Sequence, residues 1–226
     1  MLTSTTFVDD IETELRNRSL SILDCAFLGA LESGGLSVEQ LRRWALSYYG
    51  CTKNGHLAIA NFLAHSPEDQ GLRSELAENL YEEETGILSG VGRCHMDVFL
   101  DFLKVLGVSA TEASAANGLS ASAYAHPIEA DEYYAQLTAY GILGEGPNAA
   151  FCERALAALR ATHSFSDDDL GWFALHAKLD KEHGATLGRY VSAAEAEPGG
   201  LEGTRELIFG LAPHYQSIWD GRGTWR

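Results

Sequence analysis

The sequence predicts an all-α protein, a helical bundle formed by a single domain across residues 1–226. Three observations predict it: apolar residues recur at helical spacing along most of the chain, capping and breaking signals separate those stretches, and no β-hairpin or alternating-strand segment is present. A chain of 226 residues exceeds the usual single-domain length. An all-helical unit of this size can nevertheless share one core, and no repeat, low-complexity linker or compositional boundary divides it.

In chain order, a first helical region covers Phe7 to Glu32 and is closed by Gly34 and Gly35. Ser37 with Gln40 forms a capping-box pattern that satisfies the first free amides of a helix running towards His65. Pro67 suits the first turn of the next helix, and Glu68 and Asp69 suit its positive end. That helix continues through Glu82, Glu83 and Glu84 until Gly90 and Gly92 interrupt it. Cys94 to Leu106 reads as a short amphipathic helix closed by Gly107, and His126 with Pro127 begins another that reaches Tyr140. Pro147 starts or kinks the next one. Ser166 to Asp169 caps a long helix to about Ala194, Pro198 to Gly200 break the chain, and Leu201 to Trp219 forms the last helix.

Composition narrows the function. Hydrophobic residues make up 46% of the chain, enough for a sizeable core, and a formal net charge of −16 argues against nucleic acid or anionic lipid as a partner. No apolar run approaches the roughly eighteen residues of a membrane span, and the N-terminus lacks the basic start and apolar stretch of a signal peptide, so a cytoplasmic protein without a membrane partner is expected. Cys25, Cys51, Cys94 and Cys152 lie far apart with no CxxC pair, which fits buried thiols better than disulfides or a zinc knot.

Placing residues at steps of about 100° shows which side chains share a helix face. His176, Asp180 and His183 fall within about 60° of one another, on the side that carries Trp172, Phe173, Leu179, Leu187 and Tyr190. Lys178, Lys181, Glu182 and Arg189 take the other side. Glu83 lines up with Leu72, Leu76, Leu80 and Ile87, whereas Glu82 and Glu84 flank that stripe and read as a solvated face. His95 shares its face with Phe99, Phe102 and Leu106. Glu145 aligns with Ala149, Cys152, Leu156 and Leu159 if helical geometry continues through Gly146 and Pro147; if a helix begins at Pro147, the alignment lapses.

Magnitude separates the readings. Each ionised carboxylate buried without a partner costs several kcal/mol, so three would consume much of the ~5–15 kcal/mol by which a whole domain is stable. Three carboxylates and three imidazoles supply a ligand mixture suited to a pair of iron or manganese ions within a helix bundle. The blander reading is a satisfied polar network, an Asp bonding two histidines. His56 lies on a stripe with Ala45, Tyr49, Ile59 and Leu63, where core packing outweighs a site role; Tyr48 and Tyr49 are candidate pocket lining. Tyr49 and His56 are the weak candidates for substrate contact. His65, His126, His163 and His214 fall near helix ends, where capping or surface roles suffice.

The succession NLYEEETG, His95 followed by MDVFLDFLKVLG, GEGPNAAF around Glu145, and ALHAKLDKEHG resembles the heme-oxygenase-like di-iron oxidases, relatives of thiaminase II and pyrroloquinoline-quinone synthase. The likeness spans roughly Leu41 to Tyr190. It implies a heme-oxygenase-like bundle of about seven helices. It also implies two ferrous ions, with manganese as an alternative, held by Glu83, His95, Glu145, His176, Asp180 and His183. O2 is the implied co-substrate, and the implied substrate is a small amine, amino acid or carboxylate. The stretch from Glu83 to His95 looks longer than in several relatives, which leaves Glu84 open as a replacement or supplement for Glu83. Such relatives commonly pair, so a homodimer is expected, with Trp219 and Trp225 as contact candidates, and an external electron donor is compatible with the chemistry. Two alternatives stand beside this reading. One is a metal-free thiaminase-like or quinone-synthase-like enzyme, for which Cys152 is the candidate nucleophile. The other is a non-catalytic helical binding protein.

Overall fold

The computed structural model describes residues 3–117 and 128–226, with side chains described throughout except at 180–186. Among these residues every regular element is helical, as the apolar spacing predicts. The α-helices are α1 (Phe7–Asn17), α2 (Ala26–Glu32), α3 (Val38–Thr52), α4 (His56–Ala64), α5 (Gln70–Thr85) and α6 (His95–Val105). They continue as α7 (Ala110–Ala115), α8 (Tyr133–Tyr140), α9 (Gly146–Thr162), α10 (Gly171–Ala194) and α11 (Gly200–Trp219). None is long and apolar enough to cross a membrane.

These segments outnumber the about seven that the resemblance implies: two expected regions are each split, and α7 lies in a stretch where no helix is expected. The region expected from Phe7 to Glu32 breaks where Ser19 adopts a left-handed φ of 54°. A 3-10 turn at Ile22–Asp24 follows, capped by Ser21, whose Oγ accepts the Leu23 amide at 3.2 Å. The region expected to reach His65 divides between Thr52 and His56. The capping box at Ser37 forms as the sequence predicts: its Oγ accepts the Gln40 amide at 3.3 Å, and Gln40 Oε1 accepts the Ser37 amide at 3.0 Å. Asp69, rather than the Pro67 turn, starts α5, its Oδ1 accepting the Leu72 amide at 3.0 Å. The helix then stops at Gly86, which takes the left-handed φ of 58° that a terminating residue needs, ahead of the expected break at Gly90.

His126 and Pro127 lie outside the described residues. The start of α8 is instead held by Glu197, whose carboxylate accepts the amides of Tyr134 at 2.7 Å and Ala135 at 2.9 Å. Pro147 stands at the start of the next helix, one of the two roles the sequence offers for it. α8 runs through a π-helical turn at Gly141–Glu145 directly into α9, with Pro147 in the first turn of α9.

The core is aromatic. Phe27 stacks on Trp44 at 4.0 Å between centroids, and Tyr48 continues the stack at 5.3 Å. Trp219 and Trp225 are buried within this same chain, so they do not present the surface a partner would need. The indole of Trp44 donates to the Trp219 carbonyl at 2.9 Å, and Trp225 meets Phe27 edge-on at 6.0 Å. Long helix α10 packs along α9 and α8 and against α6, which brings its inner face against the start of α6 and the π turn.

Candidate metal centre

Three elements meet at the site: the end of α5, the first residue of α6 and the second turn of α10. His95 opens α6 and is 1% exposed, sealed among core residues. Its Nδ1 lies 3.0 Å from Glu83 Oε1 of α5. His176, on α10, stands perpendicular to it with ring centroids 5.1 Å apart. One potential ligand atom from each of Glu83, His95 and His176 lies within 4.8 Å of the others.

The ring of His176 is already oriented. Its Nδ1–H donates to the Trp172 carbonyl one turn earlier at 3.0 Å, because a carbonyl can only accept, and this leaves a lone pair on Nε2. Trp172 lies against the same imidazole, 4.3 Å between centroids. Two buried imidazoles and a half-buried carboxylate, close together, match the oxygen-and-nitrogen donor mixture that suits iron or manganese. The residues present therefore fit the metal that the sequence leads one to expect.

Glu145 lies at the end of the π turn with ordinary helical angles, φ −62° and ψ −48°, so helical geometry does continue through Gly146. Its Oε1 accepts the Tyr140 hydroxyl at 2.7 Å. Glu145, Glu83 and His176 border one cavity of about 90 Å³, together with Tyr48, His56 and Trp172. Asp180 and His183 follow His176 along unbroken α10, but their side chains lie outside the described residues.

The acidic triplet divides differently from the expected pattern. Glu82, expected on a solvated face, is buried at 9% exposure. The loop after α5 folds back over it and helps to cover it. Glu82 Oε2 accepts the Leu88 amide at 2.7 Å, while Oε1 accepts the Ser89 amide at 3.2 Å and faces His95 Nε2 at 3.1 Å. Burial works to raise the Glu82 pKa, but its hydrogen bonds with Ser89, His95 and Leu88 hold it below the usual carboxylate value. For His95 burial works to lower the pKa, and the adjoining Glu83 and Glu82 carboxylates raise it above the ordinary imidazole value. Glu84 remains largely solvent-facing and pairs with His56, Oε1 to Nε2 at 3.2 Å. The geometry thus brings Glu83, not Glu84, to His95 and His176.

Of the weaker candidates, His56 borders the small cavity, whereas Tyr49 stacks parallel on Phe99 at 6.3 Å and Tyr48 takes the wall position. Cys152 is fully buried, its thiol donating to Asn148 Oδ1 at 3.6 Å, and it borders neither this cavity nor the larger one beside it. Two tyrosines escape the sequence reading: Tyr140, and Tyr215, whose pKa is raised by burial and then by the charge of Glu145. The available signal was the glycine spacing at 141, 144 and 146. At Gly144 a β-carbon would sit 3.3 Å from the Tyr215 ring, so the missing side chain lets that ring approach.

A second cavity of about 350 Å³ lies beyond Tyr140 and Glu145. Ile59, Phe62, Leu76, Leu137 and Leu187 contribute its apolar wall, and Glu75, Glu78, Glu82 and Glu145 its charged one. Glu75 is engaged by Arg189 and the Tyr190 hydroxyl.

Residues 42–214 match the profile of a family described as iron-containing redox enzyme. Among solved structures, the fold is similar to a CADD-like protein of unknown function from Nostoc punctiforme PCC 73102, with a TM-score of 0.71 and 16% identity over 99% of each chain. It is also similar to a TenA homologue from P. horikoshii OT3, with a TM-score of 0.61 and 18% identity over 97% of this chain and 98% of that one. Identities this low speak for the shared helical fold. Nothing among curated proteins matches the chain.

Proposed function

The chain belongs to the iron-containing redox enzyme family, and from that premise we propose that it is an O2-dependent, non-heme di-iron oxidase or oxygenase acting on a small metabolite. The observation that carries this reading is the convergence of half-buried Glu83 with buried His95 and His176 beside the cavity that Glu145 also borders. Glu83, His95, Glu145, His176, Asp180 and His183 would hold the metal, with iron preferred and manganese an alternative of similar ligand taste. Bound ferrous ions would supply the electrons that activate O2, which amino-acid side chains cannot do alone.

The remaining tasks belong to the chain's own residues. His176 is held in one tautomer by the Trp172 carbonyl, so its Nε2 needs no reorganisation to act as a ligand. Tyr140 donates its hydroxyl hydrogen bond to Glu145 and fixes that carboxylate between the two cavities. The larger cavity has the volume for a small organic substrate, and its apolar side excludes water from the reacting end. Among the described residues its lining offers carboxylates and no Lys or Arg, which favours the amine-bearing members of the expected substrate classes. An external electron donor and a paired assembly belong to the same proposal.

The test is anaerobic loading with ferrous iron followed by exposure to O2. About two ions per chain and rapid O2 uptake are expected for the wild type. His176→Ala should lose bound iron while keeping the helical circular dichroism of the parent. A folded wild type that takes up neither iron nor O2 would overturn the assignment.

A further inference from the structure

We infer that Glu82 is a positioning residue for the metal centre: it fixes His95 so that Nδ1 faces the metal, and it ties that orientation to the wall of the substrate cavity. This role rests on the metal-binding reading of Glu83, His95 and His176.

Glu82 is not itself a ligand in this arrangement. Both its oxygens are committed, Oε2 to the Leu88 amide and Oε1 to the Ser89 amide and His95 Nε2. It is also absent from the set of donor atoms that converge, which contains Glu83. His95 is therefore gripped from two sides, by Glu83 at Nδ1 and by Glu82 at Nε2. A neutral imidazole has one N–H and one lone pair. With a cation beside Glu83, the lone pair belongs on Nδ1 and the proton on Nε2, where Glu82 Oε1 stands 3.1 Å away to accept it. A carboxylate behind a metal-bound histidine locks the tautomer, orients the ring and strengthens the ligand.

The same carboxylate does a second job. Leu88 and Ser89, whose amides it holds, both line the larger cavity, as does Glu82 itself. The return loop that carries them is tightly made, because Gly86 is left-handed and packs so closely that a β-carbon would sit 2.5 Å from the Arg93 carbonyl oxygen. Ligand orientation and cavity wall are thus set by one side chain, at a position off the apolar stripe of α5.

The test uses Co2+ as a probe of the full-length protein and compares wild type with Glu82→Gln. The variant keeps the size of the side chain but replaces one accepting oxygen with an NH2 group, which must oppose one of the donors now satisfied. A 10–100-fold loss of Co2+ affinity is expected, with a changed visible spectrum and an unchanged helical content. Affinity and spectrum matching the wild type would overturn the role, even if the variant melted earlier. Should the variant fail to fold, nitrogen NMR of His95 in the Zn2+-loaded wild type gives an independent reading: Nδ1 bound and Nε2 protonated supports the role, and Nε2 bound overturns it. The two readings fail separately. Wild type that binds Co2+ but shows no iron-dependent O2 uptake sinks the oxidase assignment and leaves Glu82 in place. Normal O2 chemistry with an indifferent Glu82→Gln does the reverse, and a wild type that binds no metal sinks both.

Discussion

A histidine bonded through Nδ1 to the carbonyl one turn back on its own helix, as His176 is to Trp172, has its free lone pair fixed by local structure alone. His95 has no such internal constraint. It sits at the start of α6, where no preceding helical carbonyl is available, and takes its orientation from side chains of α5. That dependence makes the loop joining the two helices important, and Gly86 is its tightest point. Gly86→Ala would combine a left-handed backbone with a β-carbon 2.5 Å from a backbone oxygen that cannot swing aside. A loss of ~2 kcal/mol or more is expected in urea unfolding; a variant as stable as the parent would show that the loop can relax freely. Glu83, His95 and His176 were legible in the sequence because helical periodicity places them among Leu76, Phe99, Phe102 and Phe173. Glu82 was not, because periodicity reports what neighbouring helices cover and is blind to a loop folding back.

The same distinction governs the elements. Ser37 with Gln40 announces a helix start through chemistry confined to four residues and forms the expected bonds. Ser166 and Asp169 also pair, Ser166 donating its amide to Asp169 Oδ2 at 2.8 Å, but they close a turn ahead of α10. That helix begins only at Gly171, behind Leu170 and with no side-chain cap, so the cap expected at Ser166 does not start it. Breaks that depend on tertiary context were hidden. Ser19 is left-handed although nothing about serine demands it, and the division between α3 and α4 falls at Lys53 and Asn54, with Gly55 the sole local hint. The π turn at Gly141–Glu145 is the most consequential hidden feature. It lets α8 pass into α9 without a stop, and its glycines admit close neighbours: a β-carbon on Gly141 would lie 2.3 Å from the Leu187 side chain. One extra residue in a helical turn rotates everything beyond it, so the conditional alignment of Glu145 could be decided only with the backbone in view.

At the scale of the molecule, a net charge of −16 and an isoelectric point near 4.8 place the protein under self-repulsion at neutral pH. Glu14, Glu32, Glu82 and Glu112 have pKa values below their ordinary 4.5: Arg205 holds Glu14 down, Arg154 Glu32 and the Ser109 cap Glu112, while hydrogen bonds outweigh burial at Glu82. A depressed folded-state pKa contributes stability that is present above 4.5 and lost as pH falls through the lower folded value. Glu12 and Glu197 are raised, chiefly by burial, so protonating them on the way down restores stability. Chelator-treated protein should therefore hold or slightly raise its urea midpoint from neutrality to about pH 5 and lose it steeply below about pH 4. A midpoint still rising at about pH 3 would contradict this balance.

The aromatic interior also makes the protein its own optical reporter. All the indoles, Trp44, Trp172, Trp219 and Trp225, are buried, and Trp172 rests against the His176 imidazole. Tyr48 touches Trp172, Trp44 and Trp219, so light absorbed anywhere in this cluster is emitted within a short relay of the candidate centre. Arrival of a paramagnetic ion at His176 should darken that emission, whereas a diamagnetic ion of equal charge should leave most of it, so occupancy can be followed without a label.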